Sequence, residues 1–390
     1  MKKATTLLAI ITLTVIAGCG GGKQSTDDLI TVDVTKSYPK KELVLQDIFD
    51  VEYILLDDTN DEFVTNGIIM SIGKEIILVR NVGTSGDILV FDRNGKGLRK
   101  VNRRGQGAEE YPMFLRATLD EENNAMFVYG ASPKRLVVYD LFGNFIRSLV
   151  LNDNRFMLLG NFDRDNLICF DDIEFDERRN RFWIISKLDG SVSKEIHIPY
   201  KERITRRIAD GNGTFIADGP RNQILIPNRD SWILVEPSAD TIYRLLPDYR
   251  IVPFIVRTPS VQSMSPEVFL FPSVLTDRYI FIQTVKKETD LTIRERLYPR
   301  RDLMYDKQEK ALFEYIVYNA DFTTKIPVNL AFETYGLPFL NNEIAFMYKL
   351  ESFELVDAFR KGQLRGKLKE IAAELNAESN PVIMIAKHKK

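Results

Sequence analysis

His197 and His388 are the only imidazoles in this 390-residue chain, and Cys19 and Cys169 the only thiols. His197 alternates with Ile196 and Ile198 in a strand-like run, while His388 lies in a lysine-rich tail. Neither stands at ligand spacing from a second histidine or a cysteine pair, so a zinc centre is not expected. A Ser–His–Asp or Cys–His device would have to run through His197, and no nucleophile-elbow pattern accompanies it. Cys169 sits in the apolar run NLICF, where a cysteine behaves as a small hydrophobe. Three acid-rich stretches, Asp57 to Asp61, Asp163 to Asn166 and Asp171-Asp172, lack the spaced ligands of a calcium loop and read as turns. The stretch VGTSGD, Val82 to Asp87, has no following Lys-Ser/Thr and no helix, so it too reads as a turn. Among 55 acids a hydrolytic carboxylate pair is conceivable, but the separation that decides its mechanism belongs to the fold. No catalytic residue, metal or cofactor is therefore assigned.

The elements that would position any site are clearest from Gly86 to Leu151. DILVFDRNGKGLRKV, starting at Asp87, and RLVVYDLFGNFIRSL, starting at Arg135, each carry an apolar run to an aromatic-Asp pair, a Gly-bearing turn and a second strand. That composition is a strong hairpin signal, and the spacing of the copies is near the length of one four-stranded propeller blade. Similar units follow. Strands are expected at Ile68–Ile72, Ile76–Val79, Leu115–Leu119, Ala125–Tyr129, Met157–Phe162, Asn166–Phe170, Phe182–Ser186 and Val192–Ile198. A fourth unit takes Gln223–Ile226, Trp232–Glu236, Thr241–Leu246 and Ile251–Arg257. A fifth takes Phe269–Leu275, Tyr279–Val285, Phe313–Tyr318 and Thr324–Val328, with Lys286 to Lys310 as a charged excursion. DLITVDV and VEYILL near the start, and Glu343–Met347 and PVIMIA near the end, leave a sixth unit to be assembled from both termini. A short helical turn is expected within Leu43–Phe49, and one C-terminal helix over about 353–376, where Leu364, Leu368, Ile371, Ala372 and Leu375 share a face. The fold expected is all-β: a six-bladed β-propeller whose N- and C-terminal strands close the last blade, in which the helix is inserted.

A formal net charge of -2 with 28% charged residues describes an ordinary surface and gives no bulk attraction to nucleic acid. Lys2-Lys3 followed by the apolar stretch Leu7 to Ala17 is too short to span a bilayer comfortably and reads as a signal peptide, residues 1–18. It ends in Ile16-Ala17-Gly18-Cys19, which resembles the lipobox of bacterial lipoproteins; the resemblance implies lipid on the Cys19 thiol. Residues 19–28, with Gly20, Gly21 and Gly22, then form a flexible tether. Residues 29–390 form the single propeller domain, whose only cysteine is Cys169.

Directly after the first hairpin the chain reads RRGQGAEEY, Arg103 to Tyr111. This resembles the Arg-x-Gly-x-Gly-Pro-x-Glu-Tyr signature of six-bladed β-propeller lipoproteins of Bacteroides-like bacteria, with Ala108 in place of Pro. DLITVDV, VEYILLDD, ADTIYRL and the C-terminal GKLKEIAAELNAESNPVIMIAK extend the resemblance, and the family is similar to NHL-type propellers, whose roles run from protein binding to lyase and hydrolase chemistry. From the residues themselves, Gly105 and Gly107 permit positive φ and a tight bend. Arg104, Glu109, Glu110 and Tyr111 then form either a clamp between blades or a charged rim at the channel. The functional expectation is a lipid-anchored protein of the cell envelope, in the outer membrane and facing periplasm or surface. It would bind or scaffold a glycan, peptide or protein, with no nucleic-acid partner; the alternative is a hydrolase or lyase with its site in the central channel.

Overall fold

Ile76 to Val79 shows why these strands are apolar without alternation. Ile76 and Leu78 join one buried cluster with Val90, Ala117 and Met126, whereas Ile77 and Val79 join another with Ile54, Leu89 and Ile383. A strand covered on both faces has no polar side to show. Sheets set radially, each packed between two neighbours, produce that pattern. The computed structural model describes residues 29–81, 86–111, 114–131, 134–151, 156–171, 181–209, 212–217, 219–220, 222–289, 298–331 and 339–389. Within them the chain is a six-bladed β-propeller.

The described chain opens with β1 (Ile30–Asp33), β2 (Lys40–Val44), the helical turn α1 (Leu45–Ile48) and β3 (Phe49–Leu55). Blade 1 is β4 (Ile68–Ile72), β5 (Ile76–Arg80), β6 (Asp87–Asp92) and β7 (Gly97–Asn102). Blade 2 is β8 (Phe114–Asp120), β9 (Ala125–Ala131), β10 (Lys134–Asp140) and β11 (Phe145–Val150). Blade 3 is β12 (Phe156–Asn161), β13 (Asn166–Asp171), β14 (Phe182–Ser186) and β15 (Val192–Ile196). A small ribbon, β16 (Ile208–Ala209) with β17 (Phe215–Ala217), precedes blade 4: β18 (Leu225–Asn228), β19 (Ser231–Leu234), β20 (Thr241–Leu245) and β21 (Ile251–Thr258). Blade 5 is β22 (Val268–Leu275), β23 (Tyr279–Lys286), β24 (Arg300–Asp306) and β25 (Ala311–Tyr318). After β26 (Phe339–Leu340) come β27 (Ile344–Leu350), α2 (Ser352–Arg360), α3 (Gly366–Glu374) and β28 (Val382–His388).

The repeated hairpin signal has a physical basis in the turns. Asp92 Oδ1 accepts from the N–H groups of Asn94 and Lys96 at 2.8 and 3.0 Å, and Asp140 Oδ1 from those of Phe142 and Asn144, both at 2.8 Å. Gly95 and Gly143 then take φ of +87° and +86°. The carboxylate organises the turn and the glycine supplies the left-handed residue.

Both termini close the ring, as expected. β28 pairs with β27 on one side and with β3 on the other, Val382 lying opposite Leu55 and His388 opposite Phe49. The N-terminal arm does more than this. β1 adds a parallel strand to the outer edge of blade 4 and β2 another to blade 5, so one segment straps three successive blades. Arg301 fastens the strap between β1 and β2 by donating to the carbonyls of Val34 and Lys36 at 2.8 and 2.7 Å. Covered outer edges cannot pair with another chain.

Three expectations about local structure change. The helix over 353–376 is two helices, with Gly362 at φ +66° in the break. Leu355, Ala358, Leu364, Leu368 and Ala372 pack with Val382, which places the apolar face of both helices against the propeller body. In blade 5 the third strand is Arg300–Asp306, inside the expected excursion, and Thr324–Val328 contributes only an isolated bridge at Pro327. No helix among the described residues is long and apolar enough to cross a membrane.

Candidate functional site

In blades 1 to 5 the chain enters by the inner strand and moves outward, antiparallel at each step, with β26 added in parallel to the inner side of β4 in blade 1. Four strands return it to the end it started from. The starts of β4, β8, β12, β18 and β22 therefore share one end of the central channel, called here the upper end. The turns joining first to second strands share the lower end.

At the lower end a cavity of about 510 Å³ is lined by turns of blades 1 to 3, by Pro227 and Trp232 of blade 4, and by the Leu340–Glu343 segment. Several of its polar groups are bonded across the blades, although Asn161 Oδ1 is a buried acceptor with no donor among the described residues. Glu121 accepts from the N–H groups of Lys74, Glu75 and Ile76 at 2.7, 2.9 and 2.9 Å, so one carboxylate of blade 2 caps the first turn of blade 1. Gly73 is required there, because a Cβ would overlap that carboxylate. Lys187 of blade 3 reaches Asp120 of blade 2 at 2.7 Å, with both side chains 5% exposed or less. Its ammonium also donates to the Asp163 carbonyl at 2.8 Å, and Asn123 donates to the other side of the pair, at Asp120 Oδ2 and the Arg164 carbonyl. Asn341 ties the approach to blade 6 onto blade 1, bonding Ile72 and Gly73.

The upper end is different. Asn222 and Gln223, just ahead of β18, are each 8% exposed. Asn222 Nδ2 donates to Gln283 Oε1 at 2.8 Å, and Gln283 donates to Asp302. Asn222 Oδ1 and Gln223 Oε1, however, are buried acceptors that receive no hydrogen bond from the described residues. Arg181, at the head of β14, faces Glu236 across the blade 3–4 seam at 3.7 Å, both nearly buried. Arg116, two residues into β8, is 8% exposed. Burial pushes its guanidinium down to about 10, with the charge of Arg80 adding to the effect.

The segment Arg103 to Tyr111 crosses this end from the outer strand of blade 1 to the inner strand of blade 2. It is held chiefly by backbone carbonyls. Arg135 donates to the carbonyls of Gly107 and Glu110, Tyr139 to that of Glu109 at 2.6 Å, and Ser148 to that of Ala108 at 2.8 Å. Tyr111 is fully buried, donates to the Gly86 carbonyl at 2.8 Å and stands edge-on to Tyr139 at 6.0 Å. Burial pushes its phenol up to about 12. Glu110 folds back on its own loop to accept from the Gly107 N–H at 2.8 Å. Neither Gly105 nor Gly107 adopts positive φ. Gly105 is there for room, since a Cβ would overlap the Glu110 carboxylate. Arg104 and Glu109 are exposed.

The remaining chemistry-bearing residues lie away from the channel ends or outside the description. Cys169 is fully buried between blades 2 and 3, which raises its thiol pKa. His197 is exposed just past β15, the outermost strand of blade 3. His388 ends β28, half-buried, and burial lowers its pKa. Asp57 and Asp163 cap turns as expected, accepting from the N–H groups of Thr59 and Asp165. Cys19, the signal and tether segments, and all of VGTSGD but Gly86 and Asp87 lie outside the described residues. Sequence reasoning did not single out Arg116, Asp120, Glu121 or Lys187. Each looks like an ordinary polar residue of a strand or turn until the ring brings its neighbours together.

The fold has known counterparts. A crystallised putative exported protein from Bacteroides fragilis NCTC 9343 superposes with a TM-score of 0.60 at 14% identity, covering 93% of this chain and 100% of that one. A member of the DUF4221 family from Bacteroides vulgatus ATCC 8482 gives a TM-score of 0.48 at 13% identity, covering 87% and 96%. No curated protein sequence matches the chain. The model of the domain of unknown function DUF4934 matches residues 29–387, nearly the whole described propeller, and the chain belongs to that family.

Proposed function

We propose that this protein is a lipid-anchored propeller of the cell envelope that binds a partner at the upper end of its channel. The observation that carries the reading is the set of buried polar groups there that no described residue completes, Asn222 Oδ1, Gln223 Oε1 and the Arg116 guanidinium, against a lower end whose turns are cross-bonded and where Asn161 Oδ1 is the one such acceptor at the cavity among the described residues. A buried acceptor without a donor costs about 1–3 kcal/mol, so groups kept in that state point to something that completes them. Binding is favoured over hydrolase or lyase chemistry because three of the more deeply placed carboxylates at the two ends are already engaged: Asp120 by Lys187, Glu121 by three N–H groups, Glu236 by Arg181 and the Ser238 N–H. Export rests on Lys2-Lys3, the apolar run and Ile16-Ala17-Gly18-Cys19, and the likeness to a protein named as exported supports it. The lipid on Cys19 would hold the NHL-like propeller at the outer membrane, facing periplasm or surface, with a glycan, peptide or envelope protein as partner. Glu110 and Tyr111 act in this reading as the clamp between blades 1 and 2, and Arg104 and Glu109 as the rim.

Two measurements test it. Fractionation should move the chain from membranes to the soluble envelope fraction on Cys19→Ser; retention in membranes would remove the anchor. Binding of the soluble Cys19→Ser form should be measured against panels of oligosaccharides and peptides. A ligand that still binds when Gln223→Leu and Asn222→Leu are combined, yet is lost in a lower-end variant, would reverse the assignment of the ends.

A further inference from the structure

Buried arginines elsewhere in the propeller have partners. Arg257, 5% exposed, donates to the carbonyls of Pro259 and Val268 and to Met264 Sδ. Arg181 faces Glu236. Arg116 is as deeply placed, but no carboxylate, carbonyl or hydroxyl among the described residues accepts from its guanidinium. What it does have nearby is a second cation. Arg80 ends β5 on the face shared by Ile76 and Leu78, which packs against blade 2, and its charge is felt at Arg116. The strand leaves Arg116 no role in the apolar seam, because Ala117 and Leu119 fill the blade 1–2 core while Thr118 bonds the Leu159 carbonyl of blade 3's inner strand at 2.8 Å. Burying a charge without a counter-charge is expensive, and placing a like charge beside it adds to the cost. A guanidinium stays protonated at neutral pH, so the site cannot relieve itself by losing a proton.

We infer that Arg116, with Arg80 beside it, forms an oxyanion-binding site at the upper end of the channel, taking a carboxylate, sulfate or phosphate group. The planar fork of a guanidinium matches such groups with paired charge-assisted hydrogen bonds. The open acceptors Asn222 Oδ1 and Gln223 Oε1 at the same end suit a ligand that carries hydroxyl donors as well. The site rests on reading the upper end as the binding end and names the chemistry it takes.

Calorimetry and thermal shift on the soluble Cys19→Ser chain would test this with sodium glucuronate, sulfate and inorganic phosphate, against glucose and matched chloride. At least one oxyanion is expected to bind saturably and raise the melting temperature, with no effect from glucose or chloride. Arg116→Met should weaken that binding about 10- to 100-fold, the share of a hydrogen-bonded charge. Arg116→Lys, which keeps the charge and loses the fork, should fall between; it also serves if the Met variant does not fold. Glu121→Gln, at the lower end, should bind as the parent does. No saturable response to any oxyanion, or unchanged affinity in the Arg116 variants, would overturn the site. If every oxyanion fails while a neutral oligosaccharide or a peptide binds at the upper end, the oxyanion site falls and the binding reading stands.

Discussion

Lys187 at the lower end and Arg116 at the upper end are cations of similar burial, 4% and 8% exposed, in neighbouring blades. Lys187 has a carboxylate at 2.7 Å and a carbonyl at 2.8 Å; Arg116 has another arginine nearby. The first arrangement joins two blades and leaves little for a ligand to do. The second is expected to cost the fold stability, since a buried charge beside a like charge lacks the Coulombic return of a pair. The two ends of a ring of similar blades thus differ: cross-bonded turns dominate the lower one, while two of the three open amide acceptors named here lie at the upper one and the third, Asn161 Oδ1, at the lower.

The comparison is broken most severely at Lys187. Lys187→Met should leave Asp120 buried beside only Asn123, costing about 3–5 kcal/mol as broken buried pairs do. Chemical denaturation of both forms would measure it. A loss below about 1 kcal/mol would mean the pair is solvated and the lower end is not the tied one. Next in size is Glu121→Ala, which takes the acceptor from three N–H groups of the blade 1 turn. Those groups gain partial access to water, so about 2–3 kcal/mol is expected, with hydrogen exchange accelerated at Lys74 to Ile76.

These residues show what a sequence carries and what it withholds. The aromatic-Asp pair and glycine of each hairpin act within a few residues, as the Asp92 and Asp140 bonds show, so blades 1 and 2 were readable. The run Ile76 to Val79 announces burial on both faces, although not what covers it. Partners distant in sequence left no trace. Nothing in ITVD or KKELV says that they pair with Ile255 and Glu314. Arg300-Arg301-Asp302 hid a strand because its charges have partners distant in sequence, Arg301 holding the strap and Asp302 accepting from Gln283. The helix break follows from Gly362, whose effect the strong Leu periodicity on both sides concealed. At the site, FLRATLD reads as a strand in which Arg116, like Thr118 and Asp120, is an ordinary polar residue. Only ring closure turns that residue inward, so Arg116 was invisible for the reason that makes it informative.

Asp306, at the end of the third strand of blade 5 and outward from the channel, gives a smaller effect that tests how the strap closes the ring. Burial works to raise its pKa. The Arg278 and Lys41 bonds and the N–H groups of Gln308 and Glu309 outweigh this and hold it at about 2. A folded pKa below the unfolded value of about 3.9 gives stability present above pH 4 and lost as pH falls toward 2. After solvent screening the contribution is about 1–2 kcal/mol, which Asp306→Asn should remove at neutral pH. Between pH 4 and 2 the parent should converge on the variant; parallel pH profiles would show that Lys41 does not fasten β2 through this carboxylate.

The smallest change expected has the opposite sign. Arg116→Met replaces a buried guanidinium that has no hydrogen-bond partner among the described residues with an apolar chain of similar reach, and exchanges of buried charges for well-packed apolar groups are often neutral or stabilising. Without ligand the variant should be as stable as the parent or gain about 1 kcal/mol, seen as a raised denaturation midpoint at unchanged slope. Lys187→Met is the same chemical operation and should fail badly, so the pair of variants isolates the partner rather than the charge. A substantial loss of stability in Arg116→Met would mean that the fold itself relies on the guanidinium, and the distinction between the two ends would disappear. A gain accompanied by lost oxyanion binding would place Arg116 among residues kept for function at the expense of stability.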